Sequence, residues 1–317
     1  MMDKQISFLI PIYPPHYNYL KFMNKLTDNH TFTIIFVLTT IDDCVLLKNY
    51  IKNKTTTTFE NIRYIILEED SNVSKHIPNI NHRDKGIINI KKLYGLYYIT
   101  HIKKTNDFDY IIAIDSEIEF INLDNLYEKC KNYCDKKTVI AGDTTVRNNV
   151  HSFLDNIHIN SISYIHANDI DIVNKETNNG KYYFWYSDLN IYDCKLLPNF
   201  FTYINFNNFA SFIEKMNFWT FEYIIYYYYC IAHSGYKILC MNDFNIKRQW
   251  SLEAATYDTY TQVKEKMNYT TNIVIGNCYY RNKHSFIVNK DEPVLIYNMN
   301  NPRYNNIYNK TIDYLDN

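Results

Sequence analysis

In Asp109-Tyr-Ile-Ile-Ala-Ile-Asp115-Ser-Glu117-Ile-Glu119-Phe120, five apolar residues, Tyr110–Ile114, run straight into a carboxylate. A short continuous apolar run is the pattern of a strand buried on both faces, as in parallel sheets. Extended residues two apart point the same way, so Asp115 and Glu117 face one side of the strand's end. Hard divalent cations such as Mg²⁺ and Mn²⁺ take oxygen ligands of this kind and often share them with substrate phosphates. An acidic loop after a strand is also common, so position has to add weight to the motif.

The residues upstream supply that position. Ile6–Ile12 is a second apolar run, stopped by Pro11, Pro14 and Pro15, and Tyr17–Leu26 follows with helical spacing. Thr31–Leu38 reads as a strand, Asp42–Ile51 as a helix opening on two acids, Arg63–Leu67 as a strand and Ile88–Ile102 as a helix. Alternation of this kind predicts an α/β fold, a mostly parallel central sheet with helices on both faces. Ligands of such sheets sit beyond the carboxyl ends of the strands. Function is therefore expected at Pro11–His16, Thr39–Asp43, Leu67–Asp70 and Asp115–Glu119.

The second half is less regular. Thr138–Ala141, Ser163–His166 and Tyr182–Tyr186 read as short strands, Phe218 to about His233 as a helix, and Tyr236–Met241 as a strand. No internal repeat and no Gly/Ser linker interrupts the 317 residues, which points to one continuous domain with two functional halves, 1–125 and 126–317.

Composition narrows the classes. With 33 basic and 34 acidic side chains the net charge is −1, which argues against binding nucleic acid through bulk electrostatics. At 46% hydrophobic and 17% aromatic the chain is not of the disordered class. The 42 Asn, 43 Ile and 32 Tyr against 6 Gly and 7 Pro follow AT-rich codons and point to an AT-rich genome. In so much Asn, sequons such as Asn29-His-Thr31 arise by chance. No stretch is long and apolar enough to span a membrane and the N-terminus reads as a strand rather than a leader, so a cytoplasmic protein is expected. The seven cysteines include no C-x-x-C pair; Cys130 and Cys134 share a helix face, as free thiols far more often than as half of a metal site.

The opening Phe8-Leu-Ile-Pro-Ile-Tyr-Pro-Pro-His-Tyr-Asn-Tyr-Leu20, the αβ succession and Asp115-Ser116-Glu117 as a D-x-D variant resemble the GT-A class of nucleotide-sugar glycosyltransferases over residues 6–125. The resemblance implies a Rossmann-type sandwich and a metal-dependent, hexosyltransferase-like enzyme. It would move sugar from a nucleoside-diphosphate donor, expected to be a UDP-sugar, to a glycan or other hydroxyl acceptor. It implies Mn²⁺ or Mg²⁺ on Asp115 and Glu117, with His284 or His233 as a candidate third ligand. The family's usual Asp stands here as Glu117. The donor would lie against Pro11, Ile12, Tyr13, Thr39, Asp42 or Asp43, Asp115 and Ser116. Arg83, Lys85, Lys91 and Lys92 precede the acidic strand, and one of them, with Lys92 the choice, would neutralise the diphosphate. A solvated helix face is the commoner fate of such lysines.

On the acceptor side, Glu222 in Trp219-Thr-Phe-Glu222 and Asp188 beside Trp185 and Tyr186 are the candidate general bases. Glu222 in that role would imply inversion. At a helix start it also complements the helix dipole. Two other readings compete: a non-catalytic interaction protein on a degenerate glycosyltransferase fold, and a sugar nucleotidyltransferase. The latter normally needs a glycine-rich loop where this chain has Pro11-Ile-Tyr-Pro-Pro15. No Walker A, G-x-G-x-x-G, G-x-S-x-G or H-E-x-x-H motif is present.

Overall fold

The computed structural model describes residues 5–22, 32–54, 61–104, 107–116, 118–121, 126–143, 151–183, 190–240, 275–277, 286–287 and 295–296. Four parallel strands, β1 (Gln5–Pro11), β2 (Phe32–Leu38), β3 (Ile62–Ile66) and β4 (Phe108–Ala113), form the body of a five-stranded sheet. The order is β3-β2-β1-β4-β8, with β8 (Asn190–Asp193) antiparallel at the edge beside β4. Leu9 lies opposite Ile35 on one side and Ala113 on the other. All seven residues of β2 are buried, as a strand covered on both faces requires. Because β8 comes from the second half of the chain, the main sheet draws on residues from both sides of position 125.

Between β2 and β3 runs α1 (Ile41–Lys54). Its start is a reciprocal cap: Thr40 Oγ1 accepts from Asp43 N at 3.1 Å while Asp43 Oδ2 accepts from Thr40 N at 3.3 Å. Cys44 and Leu47 form its buried face, and Val45 and Leu46 are exposed. The helix before β4 is α2 (Ile87–Tyr97), extended by one π-helical turn over Tyr98–Ile102. It lies close on β1 and β2 because Gly95 faces them. A Cβ there would stand 2.6 Å from Leu9 Cδ1 and 2.8 Å from Val37 Cγ2.

In the second half, α3 (Leu126–Lys136) leads into β6 (Thr138–Asp143). Strand β6 pairs in parallel with β9 (Lys237–Cys240) and antiparallel with β7 (Tyr182–Tyr183), forming a second sheet. The short β5 (Ile118–Ile121) pairs antiparallel with Ile275–Asn277. Helices α4 (His151–Ile162), α5 (Ile170–Glu176), α6 (Leu197–Tyr203) and α7 (Phe209–Glu214) were not apparent in the Asn-rich sequence. The longest helix of this region, α8 (Glu222–Ser234), is buried from Glu222 through Ile231. A helix apolar on every side belongs inside. Three of its five tyrosines place their hydroxyls on named partners: Tyr226 accepts from Asp193 N, Tyr227 bonds Tyr133, and Tyr228 meets His158 Nδ1 at 2.8 Å. Gly235, at φ 73°, closes the helix in the left-handed conformation.

Three expected elements differ. Ser163–His166 is a turn after α4, not a strand. Its apolar Tyr164 and Ile165 are buried as anchors, and the Tyr164 hydroxyl donates to Phe212 O. Of the expected helix Tyr17–Leu26, Tyr17–Phe22 belongs to a 3-10 helix over Pro14–Phe22, and residues 23–26 lie outside the described residues. Helix α8 begins at Glu222 rather than Phe218, because Asn217 Oδ1 accepts from Trp219 N and the segment before it forms a turn.

The closeness at Gly95 gives a first prediction. Ala in place of Gly gains ~1 kcal/mol of helix propensity but forces a methyl between two fully buried side chains, at about 1–3 kcal/mol. Gly95→Ala is expected to lower the melting temperature and Gly95→Val to lower it further; a rise in either would show that α2 does not sit this close.

Candidate active site

A helix that precedes a parallel strand starts at the carboxyl edge of the sheet, and α2 carries Lys91 and Lys92 in its first half. The helix pattern around them, Ile-Ile-Asn-Ile-Lys-Lys-Leu-Tyr-Gly-Leu-Tyr, is apolar, and no acid stands three or four residues from either lysine. Their charges must therefore find partners on other elements. Both are buried, Lys91 at 4% and Lys92 at 6% exposure, which corrects the expectation of a solvated face. Lys85 is exposed, and the side chain of Arg83 lies outside the described residues.

Lys92 Nζ lies 2.9 Å from Asp115 Oδ1 and 3.3 Å from Glu222 Oε1. Asp115 follows β4, with alternation continuing the face of Ile111 and Ala113, which is the face α2 covers. Glu222 comes from the first turn of α8. Three contacts bring that turn to α2. Asn89 Nδ2 donates to Thr220 O at 2.6 Å, Phe218 N donates to Asp84 O at 2.9 Å, and Gly86 at φ 68° leaves room for Asn217 O. The three charges thus form a column. Asp115 is half exposed at the top, Lys92 lies beneath it, and Glu222, with no exposed surface, is at the bottom.

Tyr192, from β8, adds a long 3.5 Å contact from its hydroxyl to Glu222 Oε1. Burial drives Glu222 above the usual carboxylate range; Lys92 opposes that shift and Asp115 reinforces it. Burial alone would lower Lys92, but Asp115 and Glu222 more than offset it and hold the ammonium above its usual value. Removing one member of a buried ion pair typically costs about 3–5 kcal/mol, because the other is left uncompensated.

Lys91 points to the end of β1, where Nζ donates to Ile12 O at 2.8 Å. Burial lowers its pKa to about 8, against an upward pull from Asp43. Around the same edge, Tyr13 hydroxyl lies 2.7 Å from His16 Nε2 and His16 Nδ1 lies 2.7 Å from Ser116 Oγ. This chain of polar groups joins the loop after β1 to the loop after β4. Burial holds His16 below its usual range, with Asp115 pulling up and Lys91 pushing further down. A neutral imidazole donates at one nitrogen and accepts at the other, and both hydroxyls can play either part.

At the ends of β2 and β3, Thr39 O accepts from Glu68 N, Glu68 Oε2 accepts from Ile41 N at 2.7 Å, and Tyr94 donates to Asp70 Oδ2. These bonds tie the strand ends to α1 and α2.

Of the residues expected from sequence, Pro11, Ile12, Tyr13, Thr39, Asp43, Lys92, Asp115, Ser116 and Glu222 lie at or beneath this edge. Glu117, Asp188 and His284 fall outside the described residues. Glu222 is fully buried and stands as the lower counter-charge of Lys92. His233, eleven residues along α8, stands about 16 Å further down the helix. It pairs with Asp169 Oδ2 at 3.0 Å and does not join Asp115. Cys130 and Cys134 are buried and form no disulfide, and among the described residues no cluster of three His, Cys, Asp or Glu could hold a metal. Sequence reasoning did not single out His16 or Tyr192. The signal for a second buried lysine was the unpaired Lys91-Lys92 in an apolar helix.

Lys91 yields a signed prediction. Its folded pKa, near 8, is below the unfolded value, so its burial in charged form costs stability at neutral pH and the cost fades as pH rises from about 8 to 10.5. Relative to wild type, Lys91→Met is expected to gain on the order of 1–3 kcal/mol below pH 8, less the lost Ile12 bond. Urea titrations across pH 7–10.5 should show the gain shrinking as pH rises; a pH-independent difference would contradict it.

No family model and no curated protein matches the chain. Its fold is similar to that of solved glycosyltransferase structures. An active-site mutant of LgtC is 9% identical, covers 86% of each chain and has a TM-score of 0.43. The galactosyltransferase LgtC in complex with donor and acceptor sugar analogues is 9% identical over 86% of each chain, at 0.42. Mouse xyloside xylosyltransferase 1, in its apo form, is 7% identical over 75% of this chain and 84% of that one, at 0.37. The described chain is an α/β fold whose main sheet is mixed and mostly parallel.

Proposed function

We propose that this protein is a glycosyltransferase that moves a sugar from a nucleoside-diphosphate donor, a UDP-sugar, to a hydroxyl of a glycan or other acceptor. The observation that carries the reading is the convergence, at the carboxyl ends of β1 and β4, of two buried lysines, one half-exposed carboxylate and the Tyr13–His16–Ser116 chain. Parallel sheets bind ligands at this edge, and fixed ammonium groups suit an anionic diphosphate.

In this reading Pro11, Ile12, Tyr13, Thr39 and Asp43 line the nucleoside, and Ser116 and Asp115 meet the sugar and its diphosphate. The bond from the anomeric carbon to the phosphate oxygen breaks, the bond to the acceptor oxygen forms, and the acceptor's proton passes to a base. Asp188 is the base the reading retains, with Glu222 acting through Lys92 on Asp115. Of the expected metal ligands, Asp115 and His233 lie among the described residues; Lys92 engages one oxygen of Asp115, and His233 pairs with Asp169 instead. These residues do not make a metal set, and no step here passes through a metal.

Thermal shifts with UDP, GDP, CDP and ADP, each with Mn²⁺ and with EDTA, test this reading. A ligand at about 100 Kd stabilises the folded state by ~2.7 kcal/mol. UDP is expected to raise the melting temperature with Mn²⁺ and with EDTA alike. No shift with any nucleotide would overturn the donor assignment and favour a non-catalytic interaction protein.

A further inference from the structure

We propose that Lys92 is a resident cation that takes the place of a divalent metal at Asp115. A carboxylate at the end of β4 is a natural seat for Mg²⁺ or Mn²⁺, yet here the ammonium already lies 2.9 Å from Asp115 Oδ1. Lys92 is held there. It is almost fully buried, its stem belongs to a helix locked onto the sheet at Gly95, and Glu222 grips it from below at 3.3 Å. The Asn89–Thr220 and Asp84–Phe218 bonds fix α2 against the turn that presents Glu222. A lysine so placed cannot swing out to solvent without leaving Glu222 buried and unpaired.

A divalent ion on Asp115 would share its carboxylate with a fixed positive charge and be repelled by it. An anionic ligand benefits instead, because Lys92 neutralises Asp115 from behind. The consequence, which rests on the proposed donor site, is that a diphosphate binds here without a metal. The part that concerns the cation stands apart from that site and is tested apart from it.

The experiment is a Mn²⁺ titration followed by electron paramagnetic resonance, with no nucleotide present, on wild type, Lys92→Met, Lys92→Arg and the double variant Lys92→Met with Glu222→Gln. The double variant leaves no buried charge unpaired, should the single one fail to fold. Wild type and Lys92→Arg are expected to bind Mn²⁺ weakly, and Lys92→Met or the double variant at least tenfold more tightly. Equal affinity in all, no binding in any, or weaker binding without Lys92 would overturn the proposal. A parallel titration of UDP is expected to give wild-type affinities within twofold in Mn²⁺ and EDTA. A strict need for Mn²⁺ there would overturn metal-free binding, whereas no UDP binding in either would overturn the donor reading and leave the Mn²⁺ titration to judge Lys92.

Discussion

One ammonium group, buried at the carboxyl edge of the main sheet, ties together the three pieces of chain that make this site. Lys92 belongs to α2, Asp115 to the end of β4 and Glu222 to the start of α8. An uncompensated charge in such a place is costly, so each carboxylate is a condition for burying the lysine. Much of the surrounding structure can be understood as what holds these partners in register. Gly95 lets α2 lie close on Leu9 and Val37, Asn89 holds Thr220, and the turn over Asn217–Thr220 delivers Glu222.

The second half of the molecule gives that arrangement a rigid floor. Helix α8 is tyrosine-rich yet buried, and it can be so because its hydroxyls reach Asp193 N, Tyr133 and His158. The same helix separates two clusters. Its first turn carries the counter-charge of Lys92, and its last turn carries His233, paired with Asp169. Helix length alone keeps the two apart, so the histidine's chemistry belongs to the far end of the fold.

How much of this was legible in the sequence depends on which rule governed each segment. The strands of the first half were legible because full burial on two faces demands apolar runs, and Ile6–Ile12, Thr31–Leu38 and Tyr110–Ile114 are such runs. The strand-end loops followed from topology, and with them Asp115, Ser116 and the Pro11–Tyr13 segment. Ser163–His166 misled because two buried apolar residues in a turn imitate a strand. Helices α5 to α7 were hidden because six or seven residues, two turns at most, are too short to establish a helical period. The lysines were harder still. Burial of a charge is decided by a partner distant in sequence, and nothing local to Lys92 announces Glu222, 130 positions away. The bond of His16 was hidden for the same reason, its partner Ser116 being 100 residues on.

The account rests on Lys92 and Glu222 acting as one buried unit, and a double-mutant cycle measures that most directly. Stabilities of wild type, Lys92→Met, Glu222→Gln and the double variant, from urea unfolding at pH 7, give the coupling between them. A coupling of about 2 kcal/mol or more is predicted, with the double variant far less destabilised than the sum of the single ones. Single-variant costs that add to within ~0.5 kcal/mol would mean the two side chains do not depend on each other, and the site would have to be built on some other interaction.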